Sequence, residues 1–225
     1  MSAKASASFF VIITLMFGGS ASAGLRVQHL SRPFAVGDSR SVRIEAPFGH
    51  LTTETWGDDS VAVELELECS GEVGPCRGAA RTVALSSERA GEALVIRIAG
   101  PWTAEDKERS KAKTLKARGW HLAAEIKIFY PASRHIEVHL ETGAVEVRGL
   151  ESDARIRVGR GSATVTMKQR DAGSVKLSCD QGDAVIRPLG EPPLRGKKSL
   201  EWHEGNGECD LEVELGEGEI VVDLL

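Results

Sequence analysis

HIEVHLETGAVEVRGL, residues 135–150, alternates apolar and polar side chains on both sides of a single glycine. Ahead of Gly143 the apolar slots fall three, five and seven residues back, at Leu140, Val138 and Ile136. After it they fall two and four residues on, at Val145 and Val147. Alternation of period two marks a half-buried strand. A glycine at the point where its parity changes supplies the positive φ of a corner. The stretch therefore reads as strand, corner, strand.

The same phrase recurs at Gly161, Gly182, Gly207 and Gly218. The slots after these glycines hold Ala163 and Val165, Ala184 and Ile186, Cys209 and Leu211, and Ile220 and Val222. The copy at Gly207 keeps Trp202 and Leu200 ahead of it but carries Glu204 in the nearest slot. Successive glycines are 18, 21, 25 and 11 residues apart. Repeats of this size cannot bury their own apolar face and stack into a continuous core. Unequal spacing suits a second loop of variable length. The short final step predicts a closing hairpin that caps the stack.

Towards the start of the chain the pattern loosens without changing character. Val42 and Ile44 lead to a corner at Pro47-Phe48-Gly49, and Leu51, Thr53 and Thr55 follow it. Trp56-Gly57-Asp58-Asp59 reads as a turn, since aspartates bond their own backbone there. Val61, Val63, Leu65, Leu67 and Cys69 alternate with Ala62, Glu64, Glu66 and Glu68, the cleanest half-buried strand of the chain. Val83-Leu85 and Leu94-Ile96-Ile98 flank a hairpin turn at 89–92. Residues 24–133 thus read as an antiparallel β lead-in to glycine-cornered repeats over 134–225, the two making one all-β domain. Within the lead-in, Pro101 to Gly119 is a charged loop with helical tendency. Thr103, Glu105 and Asp106 suit a helix start and Lys111, Lys113 and Lys116 its end, yet only Ala112 and Leu115 have anything to pack.

The first 23 residues have a different origin. Lys4, an apolar run from Phe9 to Phe17 and the small-residue site Ala21-Ser22-Ala23 make a secretory signal peptide, with cleavage expected after Ala23. A membrane span needs about 20 apolar residues, and this run is shorter. The expected location is the periplasm or cell surface of a bacterium, with no membrane span in the mature chain. A net charge of −5 argues against nucleic acid, whose binders carry basic patches. Four cysteines in an exported chain point to disulfides. Proximity in sequence favours Cys69 with Cys76 and Cys179 with Cys209, and stacked corners would bring the second pair together. Zinc is disfavoured by the spacing.

LTTETWGDDSVAVEL, residues 51–65, resembles the opening of the DUF4097 family of adhesin-like bacterial exported proteins. EIKIFYPASRHIEVHLETGAVEVRGL, residues 125–150, resembles that family's central signature. The resemblance covers about residues 40 to 225 and implies a right-handed β-helix-like solenoid or roll behind an antiparallel β lead-in. It carries no catalytic residue with it.

GRG at 159, GNG at 205 and GEG at 216 lack the third glycine and following helix of a nucleotide loop and fall at strand corners. No serine lies in a GxSxG frame. His135, Glu137 and His139 share one outward strand face, about 6.6–6.8 Å apart by pairs, enough for a metal to bridge two of them; no partner histidine recurs in the other copies. A polysaccharide-cleaving solenoid would need carboxylates or basic residues clustered on stacked outward positions, for which the outward candidates are Glu146, Arg148, Arg157, Lys176, Asp183 and Arg187. Trp56, Trp102 and Trp120 sit near loops, as lids on the core or as a glycan surface, and Trp202 sits in an inward slot. The expectation is a non-catalytic exported scaffold without cofactor or metal, binding an envelope protein or a glycan. The alternatives are a polysaccharide-processing enzyme and an accessory of an envelope-stress system.

Overall fold

The computed structural model describes residues 24–100, 114–117, 119–203 and 207–225. Its strands are β1 (Leu25–Ala35), β2 (Ser41–Trp56), β3 (Ser60–Gly71), β4 (Ala84–Ala90), β5 (Ala93–Ala99), β6 (Thr114–Ala117), β7 (Trp120–Pro131), β8 (His135–Leu150), β9 (Ala154–Met167), β10 (Ala172–Arg187), β11 (Leu194–Gly196), β12 (Ser199–Trp202) and β13 (Cys209–Leu224). One helix, α1 (Val73–Ala80), joins β3 to β4. The strands form a single mixed sheet whose main path runs β1-β3-β7-β2-β8-β9-β13-β10-β11, open at both ends.

Five of these strands, β2, β8, β9, β13 and β10, lie parallel and carry the corner glycines in register. Gly49 faces Gly143, Gly143 faces Gly161, Gly161 faces Gly218 and Gly218 faces Gly182. All five hold φ between +137° and +148°, a backbone region that side chains disfavour. At each corner the buried parity shifts: in β8, Ile136, Val138, Leu140 and Thr142 point inward before Gly143, and Val145 and Val147 after it. The sheet therefore folds along the glycine line into two walls, and the inward residues of both join one core. Val145, Val165, Ile186 and Leu211 are all buried in it.

The first wall, ahead of the corners, is edged by β5 beside β2 and by β12 beside β10. The second wall, beyond the corners, continues from β2 into β7, β3 and β1. Here the lead-in departs from expectation. β1, β3 and β7 are antiparallel to one another, as are β4 and β5, but β2 lies parallel to β5, β7 and β8. Its own corner at Gly49 makes it a member of the stack. Thr114–Ala117, expected as the tail of a charged loop with helical tendency, pairs as β6 with β7. Residues 101–113, Arg118, the expected leader and its cleavage point at Ala23 lie outside the described residues.

Two further expectations are corrected. A β-helix-like coil would stack the corners in sequence order, whereas β13 lies between β9 and β10 and is no closing hairpin. Charge gives a physical reason. In sequence order Arg155 of β9 would face Lys176 of β10, since their glycines share a register; with β13 between them each faces Glu212. Burying Leu211, Val213, Leu215, Ile220, Val222 and Leu224 of β13 adds about 1.5–3 kcal/mol per side chain to the core. Gly207 is not a corner: it precedes β13 against the backbone of Asp171 and Ala172. Leu200 and Trp202, ahead of it, form β12, antiparallel to β10.

The cysteines divide. Cys69, at the inward end of β3, is bonded to Cys76 on α1 with an S–S length of 1.98 Å. Cys179 and Cys209 are buried and unjoined, against the expected second bridge. Leu215, not Cys209, faces Cys179. Cys209 lies six residues back along β13, about 20 Å away at strand rise, where a disulfide needs Cα atoms within about 7 Å.

An alanine at Gly161 would put its Cβ 1.7 Å from the carbonyl oxygen of Gly143, whereas at Gly91, also at positive φ, it would meet nothing within 4 Å. Gly161→Ala is expected to cost at least about 3 kcal/mol and Gly91→Ala about 1. Thermal melts check this, equal shifts for the two variants being the contrary result. Thiol labelling of the folded chain should find no reactive cysteine and labelling in denaturant two, Cys179 and Cys209.

Candidate functional site

The outer face of the first wall carries ordered rows of polar and charged side chains. Outward residues on neighbouring strands stand about 4.8 Å apart, so parallel in-register pairing lines them into rows. One row reads Arg43, Glu137, Arg155, Glu212, Lys176, Glu201, an alternation of charge across six strands. Arg43 Nε donates to Glu137 Oε2 at 2.6 Å, and Arg155 Nε lies 3.2 Å from Glu212 Oε2. The row nearer the corners reads Arg97, Glu45, His139, Arg157, Glu214, Ser178. Arg97 Nε donates to Glu45 Oε2 at 2.6 Å, and Arg157 Nε donates to Glu214 Oε2 at 2.8 Å.

Hydrogen bonds from Arg157 and then Arg155 hold the Glu214 carboxyl below its usual range. A general acid for glycoside cleavage needs the opposite displacement. Burial, then the positive charges of Arg157 and Arg43, lowers the pKa of His139 against the opposing pull of Glu137 and Glu45. Its Nε2 is buried and has no hydrogen-bond partner.

Among the described residues, clefts indent this face at three places. The largest, about 600 Å³, lies where the strands begin and is lined by Arg40, Glu92, His135, Asp153, Lys176 and Asp210 among others. In it His135 Nδ1 lies 3.0 Å from Asp153 Oδ2, and Ser174 Oγ donates to Asp210. The other two, of about 530 and 500 Å³, meet at His139 and Glu141.

The sequence candidates are scattered by the corner. Arg157 and Lys176 stand on the first wall. Glu146, Arg148, Asp183 and Arg187 follow their glycines and stand on the second, where Arg148 bonds Glu146 and Glu54, and Arg187 bonds Asp223. Asp183 faces another carboxylate, Glu219, across β10 and β13. His135, Glu137 and His139 do share the outward face of β8, but each turns to different neighbours. Among the described residues no group of three or more His, Cys, Asp or Glu side chains is placed to hold a metal ion. Trp56 donates Nε1 to Ser60 O at 2.7 Å and stacks on Phe129, and Trp120 packs against the core, both as lids do. Trp202 is buried in its inward slot, and Trp102 lies outside the described residues. Arg155, Glu212 and Glu214, central to the face, were not among the candidates. Their signal was legible: β13 carries glutamates in its outward slots where β9 carries arginines at 155, 157 and 160.

Fold and surface together define a class: an all-β protein with a corner-folded open sheet and charge-paired strand rows. Among solved structures the chain is similar to a "putative cell adhesion protein" from Clostridium sporogenes, with a TM-score of 0.50 and 12% identity over 88% of this chain and 99% of that one. A "putative adhesin" from Bacteroides fragilis shares 9% identity over 88% and 97% of the two chains, with a TM-score of 0.32. The first likeness establishes a shared fold. No protein-family model matches the chain, and no curated protein sequence does. Among the described residues no helix is long and apolar enough to cross a membrane.

The lowered pKa of His139 has a sign that can be measured. As pH falls through the usual 6.5, the unfolded chain takes up a proton that the folded chain resists, so stability falls with pH until the folded ring also protonates. Urea denaturation between pH 7.5 and 5.5 should show a smaller loss for His139→Gln than for the parent. Equal losses would remove burial of His139 as the cause.

Proposed function

We propose that this chain is an exported, non-catalytic binding scaffold of the adhesin-like kind, folded as one roll-like domain from residue 24 and working in the periplasm or at the cell surface. The observation that carries this reading is the first wall itself. Its arginines pair with glutamates across strands, and Glu214 is held ionised rather than poised to give up a proton. Such a face offers many fixed hydrogen-bonding groups and no acid–base pair.

Three further observations support export and binding. The leader pattern ending at Ala23 and the Cys69–Cys76 bond suit an oxidising compartment. Part of the DUF4097 resemblance, in residues 125–150, lies in the strand-corner-strand stretch of β8 that belongs to the stack. The Clostridium sporogenes protein of like fold carries a cell-adhesion name. The partner in this reading is an envelope protein or a glycan.

Expression of the whole chain with a C-terminal tag, followed by fractionation and cross-linking in intact cells, tests the reading. A chain shortened after Ala23, found outside the cytoplasm and cross-linked to an envelope component, is the expected result. Retention in the cytoplasm at full length, or an exported chain with no cross-linked envelope component, would refute it.

A further inference from the structure

The two smaller clefts of the first wall share His139 and Glu141 and so form one trough. It runs across the strands from Ala99 on β5 to Asp180 on β10, a distance of about 24 Å at the usual strand spacing. Its floor is low because Pro47, Gly159 and Gly216 stand where neighbouring rows carry long side chains. Gly159 and Gly216 are fixed there by packing: a Cβ on Gly159 would lie 2.5 Å from Glu141 O, and one on Gly216 would lie 2.3 Å from Gly159 O. The rim is the row of Arg97, Glu45, His139, Arg157, Glu214 and Ser178.

The chemistry of this lining selects among occupants. The strands of the floor are hydrogen-bonded on both sides, so a peptide cannot add to them by strand pairing, the mode that gives extended peptides their affinity. Four carboxylates, Glu45, Glu141, Asp180 and Glu214, line the trough against two arginines, Arg97 and Arg157, which disfavours a polyanion. The arginine–glutamate pairs of the rim are charge-compensated yet keep unused N–H groups and oxygen lone pairs. At the middle of the trough, on the third of its six strands, the His139 ring lines both clefts. A neutral chain of hydroxyl-bearing rings supplies both donors and acceptors along such a path and needs no edge.

We propose that this trough binds an uncharged, extended oligosaccharide laid across the strands, with the His139 ring lining its centre. The proposal rests on the binding-scaffold reading and narrows it to one face and one ligand class. Burial that keeps the His139 ring neutral at physiological pH is consistent with it. Because the ligand carries no charge, binding should be insensitive to salt.

The test is a titration of the mature chain with cellopentaose, maltopentaose, mannopentaose and penta-N-acetylchitopentaose, with pentagalacturonate as the charged comparator. Binding is read by calorimetry and by the imidazole resonances in NMR, that of His139 identified by its loss in His139→Ala. At least one neutral pentasaccharide should bind and move the His139 resonance. Affinity should fall at least tenfold in His139→Ala and in Ser178→Trp, which fills the far end of the trough from an exposed position, both variants keeping the parent melting temperature. Binding of pentagalacturonate alone, binding indifferent to both substitutions, or no binding at millimolar sugar overturns the proposal. Cross-linking to an envelope component that survives both substitutions would leave the binding-scaffold reading standing while the trough proposal falls.

Discussion

Backbone meets backbone at the corner line, and the rest of the structure depends on how closely. The carbonyl oxygen of one corner glycine occupies the space where the next would carry a Cβ: Gly49 against Gly143, Gly143 against Gly161, Gly161 against Gly218, Gly218 against Gly182, at 1.7–1.9 Å from the ideal positions. No other residue type fits such a line. It aligns five strands to the residue, and that alignment places every outward side chain beside a defined neighbour. The charged rows and the trough beside them follow from the glycine line more than from any local choice of their own.

Within that frame, charge discriminates between neighbours that the glycines alone would permit. Any two cornered strands can match their glycines, so β9 could equally lie beside β10 or beside β13. Arg155, Arg157 and Arg160 on β9 face Glu212, Glu214 and Glu217 on β13, and on its other side β13 turns Glu212 to Lys176. Each pair is part-exposed and weak alone. Their common sign gives the order a preference that apolar inward slots, nearly interchangeable among Val, Leu and Ile, do not supply.

These two levels differ in how far the sequence reveals them. Period-two alternation and parity changes are local, and from them the inward slots at Val145, Val165, Ile186 and Leu211, the corner at Gly49 and the hairpin at Gly91 could all be read along the chain. Strand order is a relation between distant segments, and reading the copies in sequence order placed β13 at the end. The same sequence order implies that Cys179 lies near Cys209, because it treats Cys209 as following a corner when it opens a strand. The candidate face suffered likewise. A single copy shows none of it, because the rows Arg43 to Glu201 and Arg97 to Ser178 exist only across strands, and the corner sends Glu146 and Asp183 to a different wall from Arg157.

The interior position of β13 also has a temporal meaning. It follows in the chain both strands that it separates, so β9 and β10 cannot reach their final places until it has emerged from whatever machine delivers it. A nascent chain released N-terminus first passes through a stage in which the flanks of β9 and β10 stand bare, with greasy slots and unpaired amides on show. The middle of the sheet stays unsealed until β13 has followed β9 and β10 out of that machine.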